Sequence, residues 1–218
     1  YRMKMEEPTA DILDSAMPVA DLAAGRSVLI RGPAMSGKYD LLLRLLGSLA
    51  DCSILVSTSR QERGAREDFA EYGDPDCFGI VDCASRVQGR DDDEGDLVRY
   101  ASSPKNLTEV GVKFTDLVDS FQDDGVDHAA VGVHSLSELL MYGGTEQVYQ
   151  FTRVLLAESR GMGWPTVAVI DDDAAGEQAV TTLTQPFDAV ITTRRDDDGG
   201  RSFRYQDSES EPSEWVAF

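Results

Sequence analysis

The sequence predicts an α/β fold with a mostly parallel central sheet and helices on both faces. Two observations carry this reading. Short apolar runs alternate with amphipathic helical stretches along nearly the whole chain, the pattern that buries a parallel sheet between helices. The first of these runs meets the first long helix through a glycine-rich loop, and in such sheets ligands sit at the carboxyl ends of the strands. At 218 residues the chain is long enough to bury a large core, and 1–218 reads as a single domain.

The elements come in order. Residues 1–24 form an N-terminal lead-in, with a short helix within 8–24 that packs on the core and stops at Gly25. Val28, Leu29 and Ile30 make the first strand. The stretch 40–49 places Leu41, Leu42, Leu45, Leu46 and Leu49 at helical spacing. A second strand is expected at 52–58, a helix at 62–72 closed by Gly73, and a third strand at 77–83. Residues 85–105 are acidic and lack an apolar period, which predicts a long solvated loop. The stretch 106–121 is an amphipathic helix with Leu107, Val110, Phe114, Leu117, Val118 and Phe121 inward. A fourth strand at 129–134 precedes a helix at 145–160, which Gly161 and Gly163 stop. Trp164, before Pro165, reads as core at the next turn. The fifth strand, 166–170, runs into Asp171, Asp172 and Asp173, and a brief helix at 174–182 leads to a strand at 187–193. After the acidic turn 196–200, residues 201–205 and 215–218 predict an antiparallel hairpin and tail over 196–218, at the sheet edge.

Composition narrows the function. Acidic residues number 40 against 20 basic, a formal net charge of −20, and lysine occurs only at positions 4, 38, 105 and 113. Such charge keeps a protein hydrated where salt is concentrated and screening lengths shrink to about 3 Å at molar ionic strength. The chain therefore reads as a cytoplasmic protein of a salt-accumulating halophile. Binding to nucleic acid is not expected, because phosphate contacts need a basic face. Unaided binding to an anionic membrane is not expected for the same reason, and no apolar run approaches the roughly 20 residues needed to span a bilayer. Residues 1–8 lack the apolar core of a signal peptide. Cys52, Cys77 and Cys83 lack metal-type spacing and are expected as buried, reduced thiols.

The loop itself reads Gly32-Pro33-Ala34-Met35-Ser36-Gly37-Lys38, followed by Tyr39. Glycines let backbone N–H groups turn inward on phosphates, a lysine meets their charge, and a helix N-terminus favours anions. A hydrolytic site also wants Ser or Thr after the lysine to hold Mg²⁺. Tyr39 cannot do so, because its hydroxyl lies at the far end of a ring. It could instead fold over the loop, stack on a base, or be buried under the following helix.

With these motifs, residues 20–207 resemble the RecA superfamily and, within it, the archaeal KaiC-like proteins. The likeness rests on residues 25–38, on 53–60 at the second strand, on the fourth strand with Ser135 and Ser137, and on the fifth strand with the C-terminal hairpin. It implies a P-loop NTPase fold that binds ATP or ADP through residues 32–39. It also implies hydrolysis by a lysine, a Mg²⁺-holding hydroxyl, an Asp closing the fourth strand, and a Glu after the second strand that activates water. Lys38 matches the first of these. Tyr39, His134 and Arg60 stand where the other three belong. The expectation is therefore a catalytically degenerate domain acting as a regulatory or signalling module, with nucleotide as an optional ligand, Mg²⁺ not expected, and a protein partner or second copy as the target.

Two alternatives remain: an ATPase whose base is Glu62 and whose metal site and catalytic carboxylate come from Asp171, or a structural adaptor with an empty loop. Asp171 to Asp173 could hold a displaced cation, or Asp172 or Asp173 could cap the next helix. His134 reads as a hydrogen-bonded strand-end histidine. Arg194 and Arg195 either reach a neighbouring subunit or pair with the adjacent aspartates.

Overall fold

The structure, a computed structural model, describes residues 9–90, 92–196 and 199–218. The segment 1–8 of the expected lead-in lies outside the described residues. The rest of the lead-in is two helices, α1 (Thr9–Ala16) and α2 (Val19–Ala23), with Pro18 at the break, where it heads the second. The remaining elements, in order, are β1 (Ser27–Gly32), α3 (Lys38–Leu49), β2 (Cys52–Ser57), α4 (Glu62–Phe69), β3 (Phe78–Asp82), β4 (Val98–Tyr100), α5 (Leu107–Asp123), β5 (Ala129–His134) and α6 (Leu136–Tyr142). They continue with α7 (Thr145–Gly161), β6 (Thr166–Asp171), α8 (Asp172–Ala175), α9 (Glu177–Thr184), β7 (Ala189–Arg195), β8 (Arg201–Asp207) and β9 (Val216–Ala217).

Among the described residues one sheet has the order β4-β3-β2-β5-β6-β1-β7-β8-β9. Every pairing from β4 to β7 is parallel, and β8 and β9 add an antiparallel edge. Successive strand residues feed opposite cores, as the pleat requires. Val28 and Ile30 pack with α1 to α4, in a core that includes Leu13, Leu22, Leu41, Leu45 and Phe69. Leu29 lies on the other side with Phe114, Leu117 and Phe121 of α5, Leu139 of α6, Leu155 of α7 and Leu183 of α9. The mixed α/β expectation, with a mostly parallel sheet, helices on both faces and a C-terminal hairpin, is thus met.

Three readings need correction. The stretch 85–105 is not loop throughout. Val98–Tyr100 pairs in parallel with β3, and Tyr100 and Ala101 are buried. Three residues are too few to show a period, so this edge strand is hidden from pattern reading. The helix Leu136–Tyr142 also escapes it, because it begins one residue after β5 and is short. Ser135 marks its start, its side chain accepting from Glu138 N. The hairpin expected over 196–218 is present, since β8 and β9 pair antiparallel through Ser202↔Ala217 and Phe203↔Val216, and β7 adds a further antiparallel pairing to β8 across the acidic turn, in the register Arg195↔Arg201. Finally, Cys52 and Cys77 are not reduced thiols. They form a disulfide across 25 residues, with Cα atoms 4.8 Å apart, between the start of β2 and the entry to β3, while Cys83 is free and buried. The pairing is set by strands that neighbour each other only in the folded sheet.

Trp164 is buried, as expected, and its Nε1 donates to Asp127 O at 3.0 Å. No described helix is long and apolar enough to cross a membrane.

Candidate functional site

The parallel strands end along one edge, and there β1, β5 and β6 meet a cavity of about 540 Å³. Its wall includes Met35 to Asp40, Arg60, Asp68, Tyr72, His134, Asp171 and Arg201. The glycine loop forms its floor. Gly32 adopts φ +152, and a Cβ there would fall 2.2 Å from Thr193 Oγ1, so only glycine lets β1 lie this close to β7. Ser36 is fully buried, its Oγ lying 2.8 Å from Pro33 O and 2.6 Å from Thr193 Oγ1, which pins the loop to β7. Met35, at φ 58, is the exposed tip.

Gly37, at φ +83, turns the chain into α3, whose first turn has no side-chain cap. Among the described residues, no backbone carbonyl accepts from the N–H groups of residues 34–40. These donors lie at the positive end of the helix dipole. Lys38 is buried beside them. Its Nζ donates to Gly32 O at 2.9 Å and to Pro33 O, and sits 3.3 Å from Asp171 Oδ2. Burial holds the Lys38 ammonium below its usual pKa, against the opposing pull of Asp171, Asp172 and Asp173.

Tyr39, His134 and Arg60, which the sequence brings from three separate stretches, form one contiguous cluster. The Tyr39 and His134 rings are 4.6 Å apart, and the Arg60 guanidinium lies 4.9 Å above the Tyr39 ring. The Tyr39 hydroxyl donates to Asp68 at 3.1 Å, and Arg60 pairs with the same carboxylate at 3.2 Å. Burial, then Asp68, pushes the Tyr39 phenol up, keeping it protonated. His134 is lowered to about 4 by burial first, then by Arg60 and Lys38. Contrary to the hydrogen-bonded reading, its Nδ1 is buried without a partner among the described residues. The β5 end is held by Thr58, whose N donates to His134 O at 2.8 Å and whose Oγ1 accepts from Ser135 N at 2.8 Å.

The two alternative catalytic carboxylates take different places. Glu62 opens α4 and pairs with Arg66 at 2.6 Å, and it does not line the cavity. Asp171 does line it, but its Oδ1 accepts from Asp173 N and Ala174 N at 3.1 and 3.2 Å. Asp171 therefore caps α8, where Asp172 or Asp173 was expected to do so, because it is the last strand residue and so precedes the first helical turn. Asp172 instead forms a two-pronged pair with Arg31. Among the described residues no group of three or more His, Cys, Asp or Glu is arranged to hold a metal ion. Arg194 pairs with Asp196 at 3.0 Å, in keeping with its local reading.

Residues 25–193 match the model of a family of unknown function, DUF7504. The chain belongs to this family. The matched span holds the glycine loop and every cavity residue named above except Arg201, which lies beyond it. No curated protein matches the chain.

Local pattern carries no signal for Asp68, Tyr72 or Arg201. Asp68 and Tyr72 lie on or just after α4, in a stretch whose polar face looks merely solvated. Arg201 opens an edge strand. Only the sheet order brings them to the loop.

Proposed function

We propose that this protein is a catalytically degenerate P-loop domain of the RecA superfamily, similar to the KaiC-like proteins. In this reading it binds the phosphates of ATP or ADP without hydrolysing them and acts as a regulatory or signalling interaction module. The carrying observation is the row of N–H groups at residues 34–40, unpaired among the described residues, around Lys38 and next to a cluster of Tyr39, His134 and Arg60 on the same cavity. A free helix N-terminus with a buried lysine suits an anion. The Tyr39 hydroxyl is committed to Asp68, and Arg60 and His134 bring no carboxylate to hold Mg²⁺ or activate water. The order β3-β2-β5-β6-β1, with the loop after β1, supports the superfamily assignment. The partner, in this reading, is a protein or a second copy of the chain.

Calorimetry with ATP and with ADP, each with and without Mg²⁺ in molar KCl, tests binding. Both nucleotides are expected to bind, with little gain from Mg²⁺, and Lys38→Ala is expected to abolish the heat. A turnover assay under the same conditions tests the rest. Lys38-dependent hydrolysis above background would replace this reading with the ATPase that draws on Asp171 and Glu62. Absence of any binding at high protein concentration would leave the structural adaptor.

A further inference from the structure

Among the described residues, the cavity carries one cation that the chain leaves unmatched. Arg60 is paired with Asp68, and Lys38 with Asp171 and the loop carbonyls. Arg201 has no ion pair or side-chain hydrogen bond among the described residues. Its Cδ passes so close to Gly37 that a Cβ there would meet it at 2.8 Å, which lays the side chain across the N-terminus of α3. Arg201 is exposed, and a cation carried past the positive end of a helix, with two more on the same wall, is unfavourably placed. Of the four acids of that wall, Glu71 is exposed and makes no ion pair with Arg201 among the described residues, and the other three are engaged. Asp40 accepts from Tyr72 and faces Arg44, Asp68 serves Tyr39 and Arg60, and Asp171 caps α8. On the same cavity the Nδ1 of His134 is buried and has no partner among the described residues, a second polar group that a ligand could meet.

Arg201 is held there by β9 and the residue after it. Its carbonyl accepts from Phe218 N at 3.0 Å, and β9 pairs with β8 through Ser202↔Ala217 and Phe203↔Val216. Phe218 packs edge-on against Phe203 at 5.5 Å and lies beside Gly37, while Trp215 stacks with Arg194 and Arg204 at 4.1 and 4.9 Å. The C-terminal strand therefore fixes where Arg201 can reach.

We propose that Arg201, positioned by this strand, contacts the ligand directly and that the ligand is an oligophosphate bound without metal, its charge met by Arg201 and Lys38 where an NTPase would use Mg²⁺. The inference rests on the anion-binding reading above and adds the residue and the ligand class. A guanidinium suits it, since its planar fork spans two phosphate oxygens, and the cavity volume has room for a diphosphate with a nucleoside attached.

The test is calorimetry with inorganic pyrophosphate and with ADP, both in excess EDTA, on the full chain. The wild type is expected to bind both. Arg201→Ala should weaken each by about tenfold or more, the loss of one charge-assisted contact. Arg201→Lys should recover part of that, keeping the charge but not the fork. Unfolding of the ligand-free Arg201→Ala protein should begin no earlier than wild type, because no native partner is lost. Arg201→Gln keeps the stem over Gly37 and serves if the alanine variant does not fold. Wild-type binding that Arg201→Ala and Arg201→Gln leave intact would overturn the role of Arg201 while leaving the anion site standing. Binding that EDTA abolishes would overturn the metal-free ligand class. A wild type that binds neither probe would remove the anion reading, and this inference with it.

Discussion

The turns after β1 and after β3 lie at the same edge of the sheet and face the same physical problem, a set of backbone N–H groups with no partner in the ladder. After β3 the chain supplies its own anion. The fully buried Asp82 accepts from Ala84 N and Ser85 N through Oδ1, each at 2.8 Å, and from Ser85 Oγ and Glu62 N through Oδ2, each at 2.7 Å. That single carboxylate closes the turn and fastens the start of α4 to it. After β1 no described side chain does this, so the donors of residues 34–40 face a cavity instead. An internal carboxylate makes a joint, and the lack of one leaves donors open to a cavity.

The contrast breaks most visibly at Asp82. Asp82→Ala should leave three backbone donors and a hydroxyl unsatisfied in a dry place and cost about 3–5 kcal/mol, measured by urea unfolding. A loss below about 1 kcal/mol would mean water fills the joint easily and the two turns do not differ in kind. The disulfide reinforces the same closed half. Replacing both Cys52 and Cys77 by alanine should cost about 3 kcal/mol, the loop-closure entropy of 25 residues, and leave anion binding unchanged. Mass analysis with and without reductant checks that the bond forms, and a variant as stable as wild type would show that β2 and β3 need no staple.

At the open turn the comparable change is smaller. Gly37→Ala places a Cβ in a left-handed residue and against Arg201 and Phe218, so it should cost about 1–2 kcal/mol in thermal unfolding. It should also weaken anion binding more than this stability loss explains, because the helix N-terminus and Arg201 move together. Unchanged binding would separate the strand from the site.

How much of this is legible in the sequence depends on distance along the chain. The strand, loop and helix at 27–49 are contiguous, and their period and glycines are enough to find them. Strand ends are equally plain where apolar runs are long, as at Ala129–His134, which the structure reproduces residue for residue. β4 and α6 escape because three and seven residues show too little periodicity. The site is half legible: Tyr39, Arg60 and His134 are each singled out in the sequence, but from three separate stretches. In the fold they are one stacked cluster. The pairing of Cys52 with Cys77 and the approach of Arg201 to Gly37 depend on sheet order, which no local pattern carries.

The smallest effect is the finest probe of the open turn. His134 is held neutral down to about pH 4 in the fold, whereas an exposed histidine titrates near 6.5, so as pH falls from 6.5 towards 4 the unfolded chain takes up a proton that the native one refuses. Stability contributed by the neutral ring is therefore present above pH 6.5 and lost progressively below it. His134→Phe should remove that part of the slope, separable from the carboxylates by difference against wild type. An anion seated on Lys38 and Arg201 would reverse the local field and favour the imidazolium, so pyrophosphate should raise the His134 midpoint in an NMR titration while leaving that of His128 unmoved. The closed turn has no titrating ring to report in this way. If the His134 midpoint ignores saturating pyrophosphate that calorimetry shows to be bound, the anion lies away from the β5 end, and the free donors after β1 are not what holds it.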